Sequence, residues 1–142
     1  MIAIKVKLVR EGAREPTRAY ADDAGWDLYS CSSVVIPPEC KRAVPIGICV
    51  EVPPGWETRI VGRSSTWAKL SCYTNPGEID AGFRDELFAM LWNVHPSRTV
   101  SIARGDRVAQ LMLVQVPESR IEVVEELSTS ERGNGGFGSS GA

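Results

Sequence analysis

The chain has 142 residues, 16 of them basic and 18 acidic, for a net charge of −2. That length is one domain, able to bury a sizeable core without staples. The balanced charge gives no footprint for nucleic acid, and no apolar run is long enough to span a bilayer. The opening stretch MIAIKVKLVR carries lysines within its apolar pattern and has no small-residue cleavage site, so it does not read as a signal peptide. Cys31, Cys40, Cys49 and Cys72 form no CxxC pair and His95 is the only histidine, so the clustering that a zinc site needs is absent. The cysteines read as reduced thiols of an intracellular protein, with the cytoplasm (the host's, if the source is a virus) as the expected location.

In chain order, Ile2, Ile4, Val6 and Leu8 alternate with Ala3, Lys5 and Lys7, the period of a half-buried strand. A polar connection with Pro16 and Gly25 leads to a short strand over Trp26 to Ser30. Ser33 to Ile36 is a strand running into a proline turn. Ala43 to Val52 is apolar and β-branched, with Pro45 and Gly47 marking an edge or a bulge. Pro53 to Gly55 is a turn, and Trp56 to Val61 resumes the strand pattern. Ser65 to Leu70 has the only helical character, at most about two turns. Thr74 to Gly77 is a turn. Leu87 to Asn93, Val108 to Val116 and the shorter Ile121 to Val124 read as strands. Strands at this spacing predict an all-β sandwich or barrel.

The last stretch, Glu131 to Ala142, is glycine-rich with too little apolar surface to order itself. It still carries a cation (Arg132), a ring (Phe137) and two hydroxyls (Ser139 and Ser140). It reads as a solubilising tail or as a lid that closes over something phosphorylated and aromatic. Residues 1–130 then form the β domain and residues 131–142 a flexible arm.

Four further stretches carry candidate chemistry. In AGWDL, Asp27 is a turn carboxylate at the start of a strand. In GRSS, Arg63 offers a planar fork to an anion and precedes two hydroxyls and a helix start. Serine also caps helices well, and both readings are open there. In NPGEIDAGFRDEL, Asp80 is a candidate base for a water, with Phe83 as a pocket wall. Asp85 and Glu86 read as surface residues of a hairpin tip. In RGDRVAQLML, Gln110 is polar within an apolar strand and must find a partner.

Taken in order, AGWDL, GRSS, NPGEIDAGFRDE, RGDRVAQL and RGNGGFGSSG resemble the five motifs of the deoxyuridine triphosphate nucleotidohydrolase family, the trimeric dUTPases. The resemblance runs from Ile2 to Gly141. It implies a jelly-roll-like β domain and a homotrimer with three shared active sites. It implies hydrolysis of dUTP to dUMP and pyrophosphate, with neither nucleic acid nor membrane as partner. Asp80 matches the carboxylate that orients and deprotonates the water attacking the α-phosphorus. Arg63, Ser64 and Ser65 match the phosphate-holding motif, and Gln110 a phosphate or metal-water contact. The implied cofactor is Mg2+, held by the triphosphate and by waters, with Asp27 reaching it through water and no direct protein ligand. Asn75, Glu78 and Ile79 fall in the hairpin that reads uracil, Glu78 and Ile79 through main chain. Phe83 matches the aromatic that packs on deoxyribose and leaves no space for a 2′-hydroxyl. Arg132, Phe137, Gly138, Ser139 and Ser140 match the lid that covers uracil and phosphates.

The chain departs from the family pattern at Trp26 (commonly tyrosine), at GRSS (often PRSG), at Phe83 (often tyrosine), at Asp85 (commonly glycine) and at Glu78 (usually apolar). Two rivals share the fold. A dCTP deaminase needs a glutamate on the strand after IDxG, and alignment from Ile79 puts Met90 there, which has no proton to move. A non-catalytic or regulatory trimer is expected to have lost part of the set Asp80, Arg63, Gln110, Arg132 and Phe137, all of which are present.

Overall fold

The computed structural model describes residues 2–135. Eleven strands and one short helix follow one another in the order β1 (Lys5–Leu8), β2 (Gly25–Tyr29), β3 (Val34–Ile36), β4 (Lys41–Pro45), β5 (Ile48–Glu51), β6 (Trp56–Val61), α1 (Ser64–Leu70), β7 (Cys72–Asn75), β8 (Gly77–Ile79), β9 (Phe88–Asn93), β10 (Val100–Ile102) and β11 (Arg107–Gln115). They pair as a four-stranded sheet β2-β11-β6-β8, a three-stranded sheet β4-β9-β7, and the two pairs β1-β5 and β10-β3. This is the all-β domain that the strand spacing predicts, of the jelly-roll type that the resemblance implies. No helix among the described residues is long and apolar enough to cross a membrane.

Alternation builds the core. On β9, Ala89, Leu91 and Asn93 point inward while Phe88, Met90 and Trp92 point out. Leu28, Ile36, Val44, Ile48, Ile60, Leu91, Val108 and Leu111 close the interior, and each such side chain stabilises the fold by about 1.5–3 kcal/mol. The one large polar group at the centre, Asn93, is satisfied locally. Its amide nitrogen reaches the carbonyls of Ile36 (3.0 Å), Pro37 (3.1 Å) and Arg98 (2.7 Å), and its carbonyl accepts the His95 N–H (3.0 Å).

The structure corrects several sequence expectations. The predicted strand 43–52 is two strands, broken at Gly47, whose φ of +76° lies in the left-handed region. A Cβ there would stand 2.9 Å from that of Ala13, so both the backbone turn and the close approach call for glycine. β1 forms, but it is exposed on both faces rather than half-buried. Ile121 to Val124 is not a strand, because no strand among the described residues pairs with it; Ile121 and Val123 are almost fully exposed. Glu86 is not a surface residue. Its side chain is mostly buried against the Arg10 guanidinium at 2.7 Å. The cysteines are four free thiols, and burial pushes those of Cys31 and Cys72 upward from the ordinary thiol pKa.

Candidate functional site

The sheet β2-β11-β6 sets three side chains abreast. Gln110 on β11 lies opposite Asp27 on β2 and opposite Val61 on β6. Just beyond Val61 the chain leaves the sheet at Gly62 and turns into α1, which aims Arg63 back across the strand ends. The Asp27 carboxylate is nearly buried. Its Oδ1 accepts Arg63 Nε–H at 2.9 Å and the Gln110 amide at 3.4 Å. Gln110 therefore has the partner that its place in an apolar strand demands. Arg63 Nη1 also donates to Ser65 Oγ at 3.0 Å, so one guanidinium organises Asp27 and a hydroxyl together.

Arg63 itself is the N-cap residue of α1, without a side-chain capping bond, so the serine cap is not formed. The N–H groups of Thr66 and Trp67 both return to the Arg63 carbonyl, at 3.0 and 3.3 Å. Ser64 and Ser65 stand in the first turn, with Ser64 exposed. Arg63 and Ser64 also line a 360 Å3 cleft with Trp67, Tyr73 and Pro76.

A second group of predicted residues lies on the hairpin β7-β8 and the turn after it. Asn75 ends β7, Glu78 and Ile79 lie on β8, and Asp80 and Phe83 follow. Asp80 is exposed, and its carbonyl accepts the Phe83 N–H at 3.0 Å. Arg84 tightens this turn by donating to the carbonyls of Ala81 and Phe83, and it faces Glu51 at 3.7 Å. Glu78, the unusual hairpin residue, has a local explanation. It lies opposite Arg59 in register and pairs with it at 3.5 Å, so its side chain is held on β6 while its main chain lines the hairpin.

The hairpin's near end, at Tyr73 and Pro76, borders the Arg63 cleft, but Asp80 at its far end does not meet Gln110 within one chain. β8 pairs with the side of β6 away from β11, and Ile79 lies opposite Thr58. Asp80 is thus four residues along β6 from the level of Gln110, roughly 13 Å at a strand's rise per residue. Two strand spacings sideways add about 10 Å.

Arg132 donates its Nε–H to the Gly135 carbonyl at 2.8 Å and is otherwise exposed. Phe137, Gly138, Ser139 and Ser140 lie outside the described residues. Sequence reasoning missed Arg107, whose Nε stands 3.5 Å from Asp27 Oδ2. Its signal was a basic residue three positions before Gln110. What hid it is the register shift between Arg107 and Ala109, which turns its side chain toward β2.

Comparison with known proteins gives one answer. The dUTPase family model matches residues 11–141. The deoxyuridine 5'-triphosphate nucleotidohydrolase of Clostridioides difficile is 40% identical, covering 99% of both chains. That of Rhodococcus erythropolis is 42% identical over 99% of this chain and 87% of its own. Among solved structures, the Staphylococcus bacteriophage 80alpha dUTPase with dUPNHPP superimposes with a TM-score of 0.92 at 30% identity, covering 99% of each chain. A variant dUTPase from phage phi11 of S. aureus, which coordinates a structural Mg(II) ion, is similar with a TM-score of 0.84 at 26% identity over 89% of this chain and 99% of its own.

Proposed function

The chain belongs to the dUTPase family, and we propose that its reaction, hydrolysis of dUTP to dUMP and pyrophosphate, runs on a water activated by Asp80. The carboxylate takes a proton from the water as its oxygen attacks the α-phosphorus, and the bond to the β-phosphate oxygen breaks to release pyrophosphate. Such a displacement depends on positioning and on spreading negative charge. Arg63, Ser64, Ser65 and Gln110 hold the phosphates. The hairpin from Asn75 to Ile79 reads uracil through main chain, and the Phe83 ring packs on deoxyribose where a 2′-hydroxyl would clash. Arg132, Phe137, Gly138, Ser139 and Ser140 close over the nucleotide.

The residues fit a metal that travels with the substrate. Asp27 is the carboxylate beside the phosphate turn, and its oxygens already face arginine and amide donors. That leaves it suited to a contact through water rather than direct ligation. Mg2+ bound to the triphosphate would lower its charge there.

The separation of Asp80 from Arg63 carries the second part of the proposal: each active site is shared between subunits of a homotrimer. One chain presents the phosphate turn and another presents the hairpin. The exposed apolar side chains of Ile121, Val123 and Leu127 support this, since they need a surface that their own chain does not offer. Met90, on the outward face of β9, supplies no proton acceptor and weighs against deamination of the base.

The deciding experiment is a nucleotide panel with Mg2+, read by pyrophosphate release. dUTP is turned over, and dCTP, dTTP and UTP are poor substrates. Equal turnover of dUTP and dCTP would overturn the base assignment.

A further inference from the structure

The turn that carries Asp80 and Phe83 stands open to solvent. Asp80, Gly82, Phe83 and Arg84 are all exposed, and a Cβ added at Gly82 would meet nothing within 4 Å. The chain is fixed just downstream, where the Leu87 N–H donates to the Ile48 carbonyl at 2.8 Å and Arg10 holds Glu86. The hydrogen bonds of the turn itself are local. The Phe83 N–H reaches the Asp80 carbonyl at 3.0 Å, and Arg84 Nη1 donates to the carbonyls of Ala81 (2.5 Å) and Phe83 (2.8 Å).

Arg84 is also the link from this turn to another element. Its Nε stands 3.7 Å from Oε2 of Glu51, the last residue of β5. Glu51 is there because β5 alternates: Ile48 and Val50 turn inward and Glu51 outward. Its other oxygen, Oε1, accepts from Lys5 Nζ at 2.5 Å, directly across the register of β1 and β5. The Lys5 hydrogen bond and charge, with Arg84 adding to them, hold the Glu51 carboxyl below the usual carboxylate range. Glu51 therefore meets Arg84 as an anion.

One carboxylate thus serves two cations with different consequences. Lys5 ties the exposed strand β1 to β5, whereas Arg84 reaches the turn. Nη1 of Arg84 grips two carbonyls, and Glu51 steadies the Nε edge of the same planar group. At 3.7 Å this is ionic attraction without a hydrogen bond, and both side chains are partly exposed, Arg84 52% and Glu51 41%. Such a pair biases a conformational equilibrium by severalfold, and salt screens it.

We infer that Glu51 is a positioning residue for the reaction: by holding Arg84 it narrows the orientations of the turn that presents Asp80 to the water and Phe83 to the sugar. This role presupposes that Asp80 and Phe83 act as proposed, and it extends their support to a residue outside all five motifs. Turnover and sugar discrimination then share one electrostatic dependence on a carboxylate remote from the substrate.

The test is turnover of dUTP and UTP by the full chain with Mg2+, at about 0.01 M and about 1 M salt, where the screening length falls from about 30 Å to about 3 Å. Glu51→Gln lowers kcat for dUTP by about two- to fivefold at low salt and raises the UTP-to-dUTP ratio of kcat/KM by a similar factor, with an unchanged melting temperature. At high salt the parent's kcat converges on that of the variant. Lys5→Gln cuts the tie to β1 but leaves Arg84 its carboxylate, so kcat and the ratio stay at the parent's values. In an Arg84→Gln background, Glu51→Gln adds no further loss, because the two share one interaction. Equal losses in Glu51→Gln and Lys5→Gln would make Glu51 a strand anchor and overturn the inference. So would a kcat and a ratio for Glu51→Gln indistinguishable from the parent's, while Asp80→Asn is impaired in kcat and Phe83→Ala in sugar discrimination. If Asp80→Asn and Phe83→Ala behave as the parent does, the reading of the turn itself fails, and the role of Glu51 falls with it.

Discussion

Asp80 and Gln110 flank the same strand, β6, from opposite sides and four residues apart in register. Residues that act on one triphosphate cannot both reach it from those positions in a single chain. In the proposed homotrimer, the Asp80 end of the hairpin of one copy would face the phosphate turn of the next.

That arrangement makes complementation a direct measurement. Arg63→Ala and Asp80→Asn each destroy every site of their own trimers. When the two variants are denatured together and refolded, each mixed ring contains one junction with an intact Arg63 facing an intact Asp80. Random assembly makes about three in four rings mixed, so activity recovers to about a quarter of the parent's. Trimers that form but show no activity above either variant alone would place both residues in one chain's site.

Asp80→Asn also separates chemistry from binding. The amide keeps the size and the turn, since the Asp80 carbonyl and not its side chain accepts the Phe83 N–H. It removes the proton acceptor. kcat is expected to fall by about 10²–10⁴-fold, the range for losing a general base, while the affinity for an imido analogue of dUTP stays near that of the parent. Single-turnover kinetics and calorimetry check the two halves. Parent-like turnover would remove Asp80 from the proton transfer.

The sequence was most legible where a single chain decides the outcome. Trp56 to Val61 is a strand with the predicted limits, and the helix differs from expectation by one residue. It was least legible where the third dimension decides. The three-residue strand β10 is too short to show a period. Ile121 to Val124 has a strand's composition and no partner strand among the described residues. Glu86 looks like a hairpin-tip carboxylate until the fold brings Arg10, 76 positions away, onto it. The same holds in the site. Asp27, Arg63 and Gln110 were visible as separate motifs, but their convergence depends on the register of β11 against β2 and β6. Arg107 was hidden by a bulge that no local pattern announces.

The buried thiols give the fold a predictable alkaline limit. Burial raises the pKa of Cys72, and burial followed by the Glu86 charge raises that of Cys31. In the unfolded chain both ionise near about 8.5. The unfolded state therefore releases protons before the folded state does. Their contribution to stability is full below the unfolded pKa and is lost as pH rises toward the folded values. Melting measured from pH 7 to 10 should show a decline that is shallower in a Cys31→Ala, Cys72→Ala double variant. An unchanged slope in that variant would assign the decline to other groups.

The tail is the last element whose role can be measured without disturbing the rest. The hydrogen bonds of its described part are local: Arg132 Nε–H donates to the Gly135 carbonyl, and the Gly133 N–H reaches the hydroxyl and carbonyl of Ser130, just before it. Ending the chain after Glu131 removes no hydrogen bond or ion pair with the core among the described residues, so the melting temperature and the proposed trimer should both persist. On the proposed lid reading, the same truncation removes a cation, a ring and two hydroxyls from the nucleotide. With the phosphates held on one side only, kcat/KM is expected to drop at least about 10²-fold, a loss of positioning rather than of the base. Adding the Arg132→Ala variant of the full chain separates the two contributions: it should lose part of that factor while still covering the base. A truncated protein that turns over dUTP at the parent's rate would show that the tail is only an appendage.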